Sequence, residues 1–224
     1  QRWTFSTRNK WNRTGSVKSF LNMGADWSQE RLKFAAQIGV DGVVAMPSPP
    51  PDPDPGFYDL ETLVELRARV ESFGLEFYGI RLLSWKWTYK WQLGLPGRDE
   101  QLEHLGTTVR NMGAAGMPML VYNMHALRQY RTSSASPQRG GTTATEFNFE
   151  DARDLPLMEG GPGTDTSLIP ESHRRPITDD QMWDNLAYLL EAIIPVAEEA
   201  GVRLALHPDD PPVASISGVA RIMR

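Results

Sequence analysis

Four times along this chain a glycine closes a stretch of helical periodicity and a short apolar run follows at once. Gly39 precedes Gly42–Met46, Gly74 precedes Leu75–Leu83, Gly116 precedes Met119–Tyr122, and Gly201 precedes Val202–Leu206. A glycine just past the last periodic residue is the usual left-handed helix stop. A short apolar run bounded by turn residues reads as a buried strand rather than a helix. The segments ahead of these glycines are Trp27–Ile38, Leu60–Phe73, Asp99–Ala115 and Asp179–Ala200. Asp26 or Ser28 is placed to cap the first and Asp59 the second. Leu60, Leu63, Val64, Leu66 and Val70 fall at the spacing of one helix face. Pro195 lies inside the last helical segment and predicts a kink or break there.

With Val17–Asn22 as a first strand, the chain reads as five βα units, and repeated βα units imply a parallel sheet. The expected fold class is α/β, a parallel (β/α) barrel of TIM type over residues 16–224, with residues 1–15 as an N-terminal extension. A closed barrel has eight such units in about 250 residues. Five units therefore predict a barrel incomplete at its C-terminus. The alternative is an open five-stranded assembly, whose exposed edges invite pairing with other chains. Such edges also predict a homo-oligomer. Residues 124–178 show little periodicity and much Gly, Pro, Ser and Thr, the pattern of a long active-site cover or a disordered segment.

Composition excludes some functions. A net charge of −5 leaves no broad basic field for nucleic acid. Only the stretch from Gln1 to Lys18 is basic, with Arg2, Arg8, Lys10, Arg13 and Lys18 and no acid, and it reads as a solvated extension. There is no cysteine, so neither a disulfide framework nor a thiolate metal site can form. This agrees with a cytoplasmic location. No apolar run approaches the ~20 residues of a membrane helix, and the chain shows no intact secretory leader.

The last strand leads into His207-Pro-Asp-Asp-Pro-Pro. A histidine at the C-terminal tip of a barrel strand sits where such barrels keep their chemistry. A neutral imidazole suits Mn, Fe, Ni or Zn. Asp209 and Asp210 could orient that ring, bind substrate hydroxyls, or only end the strand.

The stretch AIIPVAEEAGVRLALHPDDPP resembles the mannonate dehydratase family, metal-dependent barrels related to xylose-isomerase-like sugar isomerases and epimerases. RDEQLEHLGTTVRNMGAAGMPMLVYNM, residues 98–124, resembles a second unit of that family. The resemblance implies a lyase that removes water from a six-carbon aldonic acid (D-mannonate) to give a 2-keto-3-deoxy acid. It implies a divalent metal, Mn or Fe, with His207 as one ligand. The family's other ligands, a cysteine, a histidine and an aspartate from later strands, have no match here. By the same resemblance Tyr122, Asn123 and Arg131 bind the sugar acid, and an arginine fork suits a carboxylate. The general acid and base are not assigned. His125, Asp209 and Asp210 are weak candidates. The chain departs from the family at Met46-Pro-Ser-Pro, where a histidine pair is expected, and at Arg81, where a glutamate is expected. Two other readings stay open: a metal-dependent sugar isomerase or epimerase of the same barrel class, and a non-catalytic sugar-binding barrel fragment.

Trp85, Trp87, Tyr89 and Trp91 form an aromatic loop over residues 85–96 that reads as core rather than a sugar platform. His104 and His173 read as structural or solvent-facing. Gly160-Gly161-Pro-Gly163 lacks the strand-turn-helix context of a phosphate cradle.

Overall fold

The computed structural model describes residues 17–24, 26–48, 53–81 and 83–224. The expected 1–15 extension and part of the proline-rich loop 47–55 lie outside them. In chain order the elements are β1 (Phe20–Asn22), α1 (Gln29–Ile38), β2 (Gly42–Ala45), α2 (Leu60–Glu71), β3 (Glu76–Arg81), α3 (Tyr89–Leu93), α4 (Arg98–Ala114) and β4 (Met119–Asn123). Then come β5 (Ser133–Pro137), β6 (Thr143–Glu146), α5 (Phe149–Ala152), α6 (Asp179–Ala200), β7 (Arg203–His207), β8 (Ser215–Ile216) and β9 (Val219–Ala220).

The main sheet has the order β1-β2-β3-β4-β7, every pair parallel. Each unit adds its strand next to the previous one with no reversal. That is the winding of a (β/α) barrel, whereas a doubly wound sheet reverses its strand order. Among the described residues five strands of it are present, as expected.

The helix signals act as read. Ser28 caps α1 by accepting from the Arg31 amide, and Asp59 caps α2 by accepting from Thr62. Gly39 and Gly201 close α1 and α6 with φ of 81° and 68°, a left-handed turn that a side chain would strain. Thr178 and Gln181 form a reciprocal capping box on α6. Thr178→Ala removes half of that box and is expected to lower stability by about 1 kcal/mol, read as a drop in melting temperature by circular dichroism. An unchanged melting temperature would show that the box carries none of the helix's stability.

Several expectations are corrected. Pro195 does not break α6, which runs 22 residues through it. Pro195 and Glu191, whose carbonyl loses a partner, are both exposed, so water can take the place of the missing N–H. The first strand is Phe20–Asn22 rather than Val17–Asn22, and Val17 is exposed. The third is Glu76–Arg81, shorter than read. Residues 124–178 are not structureless: β5 and β6 pair as an antiparallel hairpin and α5 follows. The hairpin is Ser/Thr-rich and exposed, so it has no apolar alternation to mark it. The aromatic segment is helical, a short 3₁₀ turn and then α3. Trp85, Trp87, Tyr89 and Trp91 are buried in the core, as read.

The core lies on one face of the sheet. Val43, Ala45, Phe77, Ile80 and Leu120 are sealed from solvent. The opposite face carries Val44, Met119, Val121 and Ala205, all only partly covered among the described residues.

One irregularity decides what reaches that second face. Val43 is opposite Phe77 and Val44 opposite Gly79, so Tyr78 is an extra residue, a β-bulge. Phe77 packs edge-on against Trp27 on the helix side. Plain alternation would put Arg81 on that side too. The bulge resets the alternation, and Arg81 instead aligns with Val121 and Ala205.

Candidate active site

Strand alternation and register place Arg81, Asn123 and His207 on the open face at the C-terminal tips of β3, β4 and β7. The segments after these tips add His125, Asp209 and Asp210. This is the end of a parallel barrel where chemistry is built.

His207 is held from both sides. Its Nδ1 is 2.7 Å from the Pro208 carbonyl and its Nε2 is 2.9 Å from Arg81 Nη2. The His125 ring stands perpendicular to it, 5.8 Å between centroids. His125 is buried, its Nδ1 facing Asp209 Oδ1 at 3.5 Å, at the limit of hydrogen-bonding range. Burial pushes the His125 imidazole below its usual value. Arg221 and His207 push the same way, against Asp209. The ring is therefore neutral near pH 7.

Asp209 is equally buried. Its Oδ2 accepts from the Met223 amide at 2.8 Å, and its Oδ1 lies 3.9 Å from Arg221 Nη1. Burial raises its carboxyl, but His125, the Met223 amide and Arg221 together outweigh that and hold it below the usual carboxylate range. Asp210 points outward to an ion pair with Arg131, which lowers its carboxyl further than burial raises it. Arg131 Nε also reaches Thr145 Oγ1 at 3.3 Å, tying the β5–β6 hairpin to the β7 tip.

Asn123 shares the face of His207, and its side-chain oxygen accepts from Gln92 Nε2 at 3.0 Å. Tyr122 faces the other way. It lines a cavity of about 40 Å³ with Trp85, Trp91, Leu120 and Leu204, between the sheet and its helices, and Asn123 and His125 line the same cavity. The structure thus brings together His207, His125, Asp209, Asp210 and Arg131, while Tyr122 lies in the cavity that Asn123 and His125 also line.

Two residues escaped the sequence reading. Arg81 was noted only as a departure, and its direct bond to His207 depends on the bulge. Arg221 was missed. It is buried and donates to the Asp210 carbonyl at 3.1 Å and the Arg128 carbonyl at 2.8 Å, joining the β4 and β7 loops. A lone arginine inside the apolar run Val219-Ala220-Arg221-Ile222-Met223 was the available signal.

These residues alone do not make a metal centre. Among the described residues no three His, Cys, Asp or Glu side chains are grouped to hold an ion. The His207 ring nitrogen Nε2 on the open face is bonded to Arg81. Among the described residues no helix is long and apolar enough to cross a membrane.

Residues 19–224 match the family described as D-mannonate dehydratase (UxuA). A mannonate dehydratase of Streptococcus pneumoniae (strain 70585) is 38% identical over 181 residues, 74% of this chain and 48% of that protein. One from Geobacillus thermodenitrificans is 30% identical, covering 92% of this chain and 59% of its own length. The crystal structure of mannonate dehydratase from Streptococcus suis serotype 2 aligns with a TM-score of 0.73 at 33% identity, over 92% of this chain and 56% of that one. The chain spans about half the length of the curated relatives it matches.

Proposed function

The chain belongs to the mannonate dehydratase family, and from that premise we propose that the protein is a hydro-lyase acting on a six-carbon sugar acid, D-mannonate, to give 2-dehydro-3-deoxy-D-gluconate. The match along residues 19–224 carries this reading. The reaction removes a proton from C2 and the hydroxyl from C3 as water, and the resulting enol becomes the 2-keto acid. A positioned base takes the proton and a positioned acid protonates the leaving hydroxyl.

The residues on the open face have parts to play in this. Arg131 supplies a fork for the substrate carboxylate, and Asp210, its ion-pair partner, an acceptor for a hydroxyl. Asn123, in register with His207 and held by Gln92, offers an amide to the sugar acid. His125 and Asp209 are sealed from solvent, so we assign them to bracing the His207 loop rather than to exchanging protons with the sugar. Tyr122, from its cavity, packs behind the site. His207 is the family's metal-ligand position, and we carry over a divalent ion, Mn or Fe, for the protein as a whole. The described residues do not complete that site, and no step is assigned through it. The remaining expectations stand as part of the proposal: a cytoplasmic homo-oligomer with no nucleic-acid or membrane partner.

The test is incubation with D-mannonate and added Mn²⁺, following the 2-keto-3-deoxy acid with the thiobarbiturate reaction. Product is expected. A ketose or epimer formed without loss of water would instead make the protein an isomerase of the same barrel class. Saturable binding of the sugar acid with no turnover would make it a binding protein.

A further inference from the structure

We infer that Gln92 is a positioning residue that turns the Asn123 side-chain amide, so that the β4 tip offers the carboxylate of a sugar acid an N–H donor and not an acceptor. The inference rests on the reading of Asn123 as a sugar-acid contact. The Asn123 backbone carbonyl can only accept, so the Gln92 atom 2.9 Å from it is the amide nitrogen Nε2. That nitrogen carries a second hydrogen. The Asn123 side-chain atom it meets at 3.0 Å is therefore the oxygen. Turning the Gln92 amide over would set its oxygen against both acceptors. With Oδ1 engaged, Nδ2 is the end of Asn123 left free, and it has no hydrogen-bond partner among the described residues. Carboxylate oxygens can only accept, so they are the part of a sugar acid that this donor suits.

Gln92 is itself fixed. It is buried on α3, and its backbone carbonyl accepts from Asn185 Nδ2 on α6 at 3.0 Å. Thus α6 pins α3, and α3 holds the tip of β4. Two buried polar atoms beside it, Gln92 Oε1 and Trp91 Nε1, have no partner among the described residues, and both residues line the cavity of about 40 Å³. A water needs about 10–15 Å³ of such space. The cavity therefore has room for one that donates to Gln92 and accepts from Trp91, which leaves Gln92 Nε2 to Asn123.

The experiment measures D-mannonate binding by calorimetry, with no metal added, to the parent chain and Asn123→Asp, with circular dichroism to confirm folding. Aspartate keeps an oxygen for Gln92 and replaces the donor with a second, negative oxygen. Asn123→Asp is therefore expected to bind roughly tenfold more weakly or worse, the scale of a lost hydrogen bond to a charged group. Binding that matches or exceeds the parent's overturns the inference. The role of Gln92 is read from the new carboxyl, followed by ¹³C NMR. A donor to the charged form lowers its titration, by about half a pH unit or more relative to the double variant Gln92→Met/Asn123→Asp. Equal titration overturns that role. Should the double variant fail to fold, side-chain amide exchange in the parent decides, read by ¹⁵N NMR. Slow exchange at Gln92 with fast exchange at Asn123 is expected, and the reverse overturns the inference. If the parent binds no D-mannonate, the sugar-acid reading fails and the carboxylate assignment with it, while exchange still decides the orientation of the amide.

Discussion

Gly79→Ala is expected to be among the most damaging single substitutions in this protein, lowering stability by about 3 kcal/mol or more, toward the upper end of overpacking costs. A Cβ at position 79 would sit 1.9 Å from the Met119 carbonyl oxygen and 2.9 Å from its carbon. That is backbone, not a flexible side-chain end, so relief requires β3 and β4 to separate in the middle of the sheet. Ladder bonds on both sides of Gly79 would stretch, since it pairs with Val44 as well as Met119. The effect does not stop at stability. Gly79 follows the extra residue of the bulge, and the bulge turns Arg81 toward His207. A shifted β3 should therefore loosen the Arg81–His207 bond too. Urea unfolding measures the first effect. A Gly79→Ala midpoint within error of the parent would mean that the strands do not approach as closely as described.

The second large effect is expected at Arg221, where replacement by Met should cost about 3 kcal/mol, the scale on which a broken buried pair destabilises. The arginine is buried, donates to two loop carbonyls and faces the buried Asp209. Without it, Asp209 keeps the Met223 amide but loses a neighbouring positive charge, and the carbonyls of Asp210 and Arg128 lose a donor each. The double variant Asp209→Asn/Arg221→Met separates these contributions. Removing the stranded charge should restore part of the stability, so the double variant is expected to be more stable than Arg221→Met alone. Equal stabilities would show that only the carbonyl bonds matter and that the charge pair is energetically silent. The β7 loop carries both Asp209 and His207, so Arg221→Met should also broaden the His207 resonances.

Much of the architecture is local and therefore legible in the sequence. Gly39, Gly74, Gly116 and Gly201 mark helix ends because a left-handed residue there strongly favours glycine. Ser28 and Asp59 mark helix starts because their side chains satisfy amides that the helix leaves free. Those signals, with short apolar runs between them, are enough for βα units and a parallel sheet. The placement of His207 at the tip of β7, with Asp209 and Asp210 just beyond it, followed from the same signals.

What the sequence could not supply depends on pairs of residues far apart in the chain. The hairpin β5–β6 has no apolar alternation to announce it, since both its faces are exposed. Arg221 became visible only when its partners, from the β4 and β7 loops, came within reach of it. The side of the sheet on which Arg81 falls turns on one extra residue between Val43 and Val44's partners, and a period-two pattern read from Phe77 gives the wrong face. Local backbone preference thus determined which elements exist and in what order. The tertiary structure decided which side chains meet, because register, a bulge and the packing of distant loops are set by contacts that no single segment contains.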